Sequence, residues 1–469
     1  MRLAQRLVVG TVLTTLTAPV LAQCRPQRVS SPTPYDFAKF GEAVQAVGDV
    51  AVIGDRSDHL HCPGYECQSG AVHVFHLVEG AWTLDRTVYS SRISELDTFG
   101  RAISFDGVRF VASSPGEDIA ATDSGAVYIF AHDGGGWREV AEVLPPDPVF
   151  LHSFGMAVAL RGDTLVVGAP IRSVSGMRAG AAYIYIEDDG RWVFKQMLAA
   201  PDPMAGAEFG HAIALNSDWL MVSARLDEEK GPAAGAVYIY RRQPPGAYEL
   251  HRKLTAPGDP DSPVFGDSLD LHGTTLAVGA SSVDGVTAAQ GGVYVFEFEG
   301  GNWVDKALLQ HGDPQGADAL GASVSLAGDV IVAGAFRYDD AGVFGLEGAA
   351  YAFRRRSDGS WSKATRLWPA ADTLEFGRAI ATDGASAIVG SPNDSTGIGF
   401  QNGAAHLFDL GCTLCRVDLD GDGALTLFDF LRFFNLFAGG DLAADFDGDG
   451  QLTLSDFLTF QNEFAAGCS

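Results

Sequence analysis

Positive charge is scarce in this chain: across 469 residues, 32 lysines and arginines face 59 aspartates and glutamates, a formal net charge of −27. A surface that acidic repels phosphate backbones and anionic lipid. It argues against nucleic-acid and membrane-surface partners and favours divalent cations and neutral or basic ones. Long apolar runs are lacking too. The best, residues 7–20, is too short and too rich in threonine for a comfortable bilayer span. With Arg2 and Arg6 before it and Val20-Leu21-Ala22 behind it, the segment reads as an export signal over residues 1–22, cleaved after Ala22. A secreted or cell-surface protein without a membrane span is expected. Catalytic signatures are missing as well: there is no Gly-x-Ser-x-Gly, no His-Glu-x-x-His and no phosphate-binding glycine loop. The 11 histidines are scattered, and His73 and His406 fall in apolar runs where packing explains them. Cysteine is sparse but even in number. Cys24, Cys62, Cys67, Cys412, Cys415 and Cys468 point to disulfides in an exported chain, with connectivity left open.

What the chain has in plenty is repetition. Phe-Gly occurs at 40–41, 99–100, 154–155, 209–210, 265–266 and 376–377, with Leu320-Gly321 as a variant, giving seven units of 55 to 59 residues. Each pair is followed by an apolar run ending in small residues, such as "LVVGAP", then by a run such as "GAAYIY". Six units continue into a run opened by an aromatic residue: Trp82, Trp137, Trp192, Tyr248, Trp303 and Trp361. Four short runs per unit, rich in Val, Ile, Tyr and Phe and bounded by Gly, Pro, Asp and Asn, are strands rather than helices. Their near-continuous hydrophobicity predicts sheets covered on both faces. Seven four-stranded sheets packed face to face make a seven-bladed propeller. The seventh unit lacks its aromatic fourth run. Residues 27–41 align without gaps to 196–210, so the N-terminal segment should supply the outer strand of the last blade and close the ring. A Cys24–Cys412 bridge would lock that closure, with Cys415 as the rival partner. Arg161-Gly162-Asp163 is a tripeptide that adhesion receptors bind. It occupies the position held by "AVGD", "FDG", "NSD", "LHG", "AGD" and "TDG" in the other units. A tight turn between first and second strands accounts for it.

Phe-Gly followed by Gly-Ala-Pro, seven times over residues 27 to 411, resembles the FG-GAP repeats of integrin α-subunit propellers and their bacterial secreted relatives. The resemblance implies a propeller over residues 23–411 that meets its partner on the face formed by the 2–3 and 4–1 loops. Among the varied 2–3 loops, Tyr65, Tyr338, Phe344 and Phe400 read as exposed. Calcium-binding blades of that family carry an Asp-rich loop between the first two strands. Here only a short turn stands there, too small for six to eight oxygen ligands, so no calcium is expected in the blades.

From Cys412 the texture changes. "DLDGDGALTLFD" (418–429) and "DFDGDGQLTLSD" (445–456) have EF-hand spacing. Asp418, Asp420, Asp422 and Asp429, then Asp445, Asp447, Asp449 and Asp456, supply carboxylates. Ala424 and Gln451 offer backbone carbonyls, and Thr426 and Thr453 reach the ion directly or through water. Two Ca2+ ions are the expected cofactors. Aspartate at position 12 and the duplicated loop-helix plan resemble dockerin modules. Helices should follow each loop, with Phe430, Phe434 and Phe437 on one stripe and Phe457, Phe460 or Gln461, and Phe464 on the other, the first ending at Gly439-Gly440. Paired cysteines near 415 and 468 would staple so small a core. Cellulosomal dockerins select a cohesin with polar residues at positions 10 and 11. Leu427-Phe428 and Leu454-Ser455 weigh against that partner and leave a cell-envelope or cohesin-like one open.

The expected fold is therefore mainly β: a seven-bladed β-propeller closed by an N-terminal strand, plus a small C-terminal α dockerin-like calcium module over residues 412–469. In "DHLHCPGYEC" (58–67), His59, His61, Cys62 and Cys67 have zinc-ligand chemistry, but a Cys62–Cys67 disulfide suits an exported chain better. Two functional readings follow. The first is a monomeric, non-catalytic binding or adhesion protein that meets a protein or glycan with its loop face and docks through its calcium module. The second is a polysaccharide-active propeller with a dockerin-like appendage. A His or Tyr grouped with an Arg and two carboxylates in the central funnel would favour the second, and small apolar residues there the first.

Overall fold

The computed structural model describes residues 26–32, 36–59, 68–92, 94–119, 121–149, 153–258, 263–339, 346–369, 373–395, 400–413, 417, 419, 425–440, 444, 446 and 451–466. Seven four-stranded antiparallel sheets form the blades. Blade 4 is typical, with strands Phe209–Leu215, Trp219–Ala224, Ala236–Gln243 and Ala247–Leu254. Blades 1 to 6 cover residues 40–88, 103–143, 157–198, 209–254, 265–309 and 323–367, and blade 7 begins at 379. Blade 3 carries an extra two-stranded hairpin, Ser173–Val174 with Met177–Arg178, in its 2–3 loop. Blade 7 is completed by the strand Gln27–Val29, which pairs antiparallel with Ala404–Asp409. The ring closes as the alignment of residues 27–41 requires.

The repeated glycines are explained by the seams between blades. The Phe of each Phe-Gly is fully buried, and the Gly behind it has positive φ, +91° at Gly210. A Cβ on Gly210 would sit 2.3 Å from the carbonyl oxygen of Ala181 in blade 3. A Cβ on Gly168, the glycine of blade 3's "GAP", would sit 2.1 Å from the carbonyl oxygen of Gly210. Two backbones thus touch where no side chain fits. Gly180 forms a parallel bridge with Phe209, and the same bridge joins Gly403 to Phe40 across the closure. Where serine replaces the "GAP" glycine, at Ser113 and Ser223, its hydroxyl accepts the amide of Ala102 or Ala212 in its own blade.

Second and third strands are buried on both faces, as their apolar runs predict. The outer strands are not: Arg191–Leu198 alternates with solvent along most of its length. Blade 6 departs further, since Trp361 forms only an isolated bridge to Arg355 and the fourth strand shrinks to Thr365–Leu367. Arg161-Gly162-Asp163 is the expected turn. Arg161 pairs with Thr164, Gly162 has φ +56°, and Asp163 holds Arg242 at 2.8 Å.

After the propeller come a short helix α1 (Leu410–Thr413) and two longer ones, α2 (Leu427–Gly439) and α3 (Leu454–Ala466). Gly440 ends α2 in the left-handed region, as "AGG" anticipates. The anticipated stripe needs correcting. Phe433 rather than Phe434 is fully buried, stacked on Phe460 at 4.2 Å, while Phe434 stays half exposed. No helix among the described residues is long and apolar enough to cross a membrane.

Candidate functional site

First strands of neighbouring blades contact one another, so they form the inner wall of the ring. At one end of the channel, three motif positions converge from every blade: the residues before and after Phe-Gly, and the residue after the second strand. The residue before Phe-Gly lies in the left-handed region in all seven: Lys39, Thr98, Ser153, Glu208, Val264, Ala319 and Glu375. The same left-handed conformation thus recurs at one level of the ring.

The mouth has two charged halves. Between blades 4 and 5, Arg225 binds Glu208 at 2.7 Å and Asp267 at 3.0 Å, while His211 reaches the same two carboxylates at 3.5 and 3.6 Å. One His, one Arg and two carboxylates are thereby grouped in the funnel. Burial alone would raise the Asp267 carboxyl, but His211, Ser281 and Arg225 outweigh it and hold it below the usual carboxylate range. Burial likewise opposes the Arg225 charge, and Glu208 and Asp267 outweigh it. Asp267 is thus kept ionised, the opposite of what a general acid requires. Around blades 7, 1 and 2, cations are in excess. Glu42 receives Arg56 at 2.6 Å and Arg101 at 3.9 Å, and Lys39 bonds Asn393. Arg378 is exposed and stacks over Phe336 at 4.5 Å. Burial, with Arg56 and Arg378 nearby, lowers the Arg101 pKa against the pull of Glu42.

A second ring lies beneath the 2–3 loops. The third strand of each blade places His73, Tyr128, Tyr183, Tyr238, Tyr294, Tyr351 or His406 at one level, all buried. Four of the tyrosines bond acids: Tyr128 to Glu117, Tyr183 to Asp147, Tyr238 to Asp202 and Asp227, and Tyr351 to Asp313. Cations complete these stacks. Arg172 meets Asp147, Lys253 meets Asp202, Asp227 and Glu229, and Arg28 meets Asp394, at 2.5 to 2.9 Å. In the connection between blades 5 and 6, His311 lies 3.0 Å from Asp313 and 3.4 Å from Asp318. Burial opposes its charge, but the two acids raise its pKa above the usual value.

Tyr338, expected to be exposed, is 1% exposed and sits in this second ring under the Arg366 guanidinium at 4.4 Å. Loop variability had suggested a surface role, whereas the residue takes the inward position held by Asp227 and Asp394 elsewhere. Phe400 is 58% exposed, edge-on to Phe37. Tyr65 and Phe344 lie outside the described residues. So do His61, Cys24, Cys62, Cys67, Cys415, Cys468 and the side chain of Cys412. Of the expected calcium ligands, Asp418, Asp420, Asp422, Ala424, Asp445, Asp447 and Asp449 also lie outside them.

The structure does place Thr426, Asp429, Gln451, Thr453 and Asp456. Asp429 and Asp456 are fully buried at the heads of α2 and α3, and each accepts the amide of the threonine three residues earlier at 2.7 Å. Around α2, Thr426 and Asp429 form a capping box. The described members of the set, the Asp429 and Asp456 carboxylates and the Thr426 and Thr453 hydroxyls, are oxygen donors, the ligand chemistry Ca2+ takes. The residues at the channel mouth carry no local signal; each blade contributes up to three, and the blades lie about 55 positions apart.

The sequence pattern of the FG-GAP repeat matches residues 137–185, 192–240, 248–296 and 303–353. The four matched stretches are FG-GAP repeats. Each match opens on an outer strand and ends on the third strand of the next blade, so the sequence repeat is offset by one strand from the structural blade. No curated protein matches the chain. An FG-GAP propeller is a scaffold of the binding or adhesion type.

Proposed function

We propose that this chain is a secreted, non-catalytic binding protein that meets a protein or glycan with the charged mouth of its FG-GAP propeller. The carrying observation is the excess of cations around blades 7, 1 and 2, where Lys39, Arg56, Arg101 and Arg378 surround Glu42 and Glu375 in a chain of net charge −27. That reversal of sign favours a partner bearing carboxylate or sulfate groups. The C-terminal module, holding two Ca2+ ions through Asp418, Asp420, Asp422, Ala424, Thr426, Asp429 and their counterparts in the second loop, would dock or anchor the protein to an envelope or cohesin-like partner.

The test is binding of polygalacturonate, alginate and neutral dextran to the full chain and to Arg378→Glu, with reducing-end release followed in the same incubations. Acidic glycans should bind the natural chain and lose about tenfold or more in the variant, whose exposed side chain leaves folding intact. Indifference to charge at that position would sink the proposal.

The grouping of His211, Arg225, Glu208 and Asp267 favours a second reading, a polysaccharide-active enzyme. Time-dependent release of reducing ends, abolished by His211→Gln, would establish it in place of the first.

A further inference from the structure

Blade 1 differs from its neighbours in the ring beneath the 2–3 loops. Asp55, Asp58 and His73 are all fully buried there, and one ligand atom from each lies within 4.8 Å of the others. The site is well braced. Thr87 Oγ1 contacts Nδ1 of His73 at 2.9 Å, the Asp58 carbonyl accepts the Gly70 amide at 3.1 Å, and the Asp58 amide donates to the Asp55 carbonyl at 3.2 Å. Among the described residues, Nε2 of His73 has no hydrogen bond and points to Asp55 Oδ2 at 3.8 Å, and the donors beside the Asp55 carboxyl are Ser31 and the Ser57 amide.

Blade 7 shows what is missing. Its equivalent positions are Ser391, Asp394 and His406, and the strand opposite His406 brings in Arg28, which pairs with Asp394 at 2.7 Å. Opposite Tyr238 and Tyr351 the same register position is Lys253 and Arg366. Opposite His73 it is Thr87, which brings no charge. Blade 1 therefore has one more acid than blade 7, Asp55 in place of Ser391, and no cation at the position where blades 4, 6 and 7 hold one.

We infer that Asp55, Asp58 and His73 form a binding site for a divalent transition cation of the Zn2+ or Mn2+ class, separate from the calcium loops of the C-terminal module. Two carboxylates and one imidazole suit such ions better than Ca2+, which takes oxygen ligands alone. Ligand atoms about 3.4 Å apart are what tetrahedral coordination at ~2.1 Å needs, and His73 Nε2 lies 3.8 Å from Asp55 Oδ2, so a small inward shift of the three side chains would close on an ion. Fixing Nδ1 through Thr87 presents Nε2 to the ion, the arrangement by which outer partners orient histidine ligands.

The experiment uses the full-length protein, stripped with chelator and then kept in millimolar Ca2+ to fill the C-terminal loops. Zn2+ is titrated by calorimetry and Co2+ by its visible absorption. One equivalent should bind to the natural chain. Asp55→Asn, His73→Gln and Thr87→Arg should each lower affinity about tenfold or more, the last by supplying the cation found in blade 7. A chain that takes up no Zn2+ or Co2+ under these conditions overturns the inference, and the acids then share a proton instead. An intense thiolate-to-cobalt band would also overturn it, by placing the ion on Cys62 or Cys67. Equal binding by natural chain and Asp55→Asn does the same, whether or not His73→Gln folds.

Discussion

The propeller and the C-terminal module solve one problem in opposite ways. Each blade is too thin to bury both of its faces, and it borrows cover from two neighbours through seams repeated around the ring. The module has no such neighbours. Its core is Val417, Phe433, Ala444, Phe446 and Phe460, with partly buried residues at the rim. So few buried residues among those described suit the proposal that bound ions and cross-links would complete its stability. The ring is secured by geometry that only glycine permits, whereas the module, on the proposed function, would be secured by charge that a metal neutralises.

The largest expected effect is at a seam. Phe209→Ala removes a fully buried ring from the blade 3–blade 4 contact and should cost about 3–5 kcal/mol in urea unfolding. Calcium binding by the module should survive that change. If the propeller transition stays put, the seam is not what holds the ring.

Removing calcium tests the other half of the comparison. Calorimetric scans of the full chain in chelator should lose a low-temperature transition belonging to residues 412–469 and keep the main one. Titration should find two calcium sites in the full chain and none in a chain truncated after Leu410. Calcium retained by the truncated chain would return an integrin-like site to the blades.

A smaller effect comes from a buried acid in the loop between blades 1 and 2. Burial, with Glu117 beside it, pushes Asp97 up to about 7. A raised folded pKa means the folded state binds the proton more tightly. The associated stability is complete below the unfolded value near ~4 and is lost as pH rises through about 7. Asp97→Asn should therefore gain melting temperature relative to the natural chain as pH goes from about 4 to about 8, and a flat difference would show Asp97 ionised in both states. The smallest effect is expected from Arg242→Ala, whose ion pair with Asp163 is partly exposed; it should cost less than about 1 kcal/mol.

The fold was legible because its defining residues are local. Phe-Gly and the glycine of "GAP" are fixed by backbone contact at the seam, so they recur at every blade and announce the ring. The offset strand Gln27–Val29 could be placed for the same reason. The charged mouth was not legible: Glu208, His211, Arg225 and Asp267 come from two blades, and no spacing distinguishes them from solvated turns. Tyr338 was misplaced because a varied loop looks superficial, although its third residue after the strand turns inward in every blade. Phe433 lost to Phe434 in the helical stripe because both lie one turn from Phe430 or Phe437, and only packing against Phe460 separates them.

The pairing of Arg28 with Asp394 joins groups 366 residues apart in the chain. The first described strand of the ring is thus the partner of its last. Until residue 409 has been made, blade 7 keeps an open edge and the ring has no closed form available. Such a ring measures its own completeness: a chain cut short by even one blade leaves Gln27–Val29 without its mate, and the unmatched edge marks the product as unfinished.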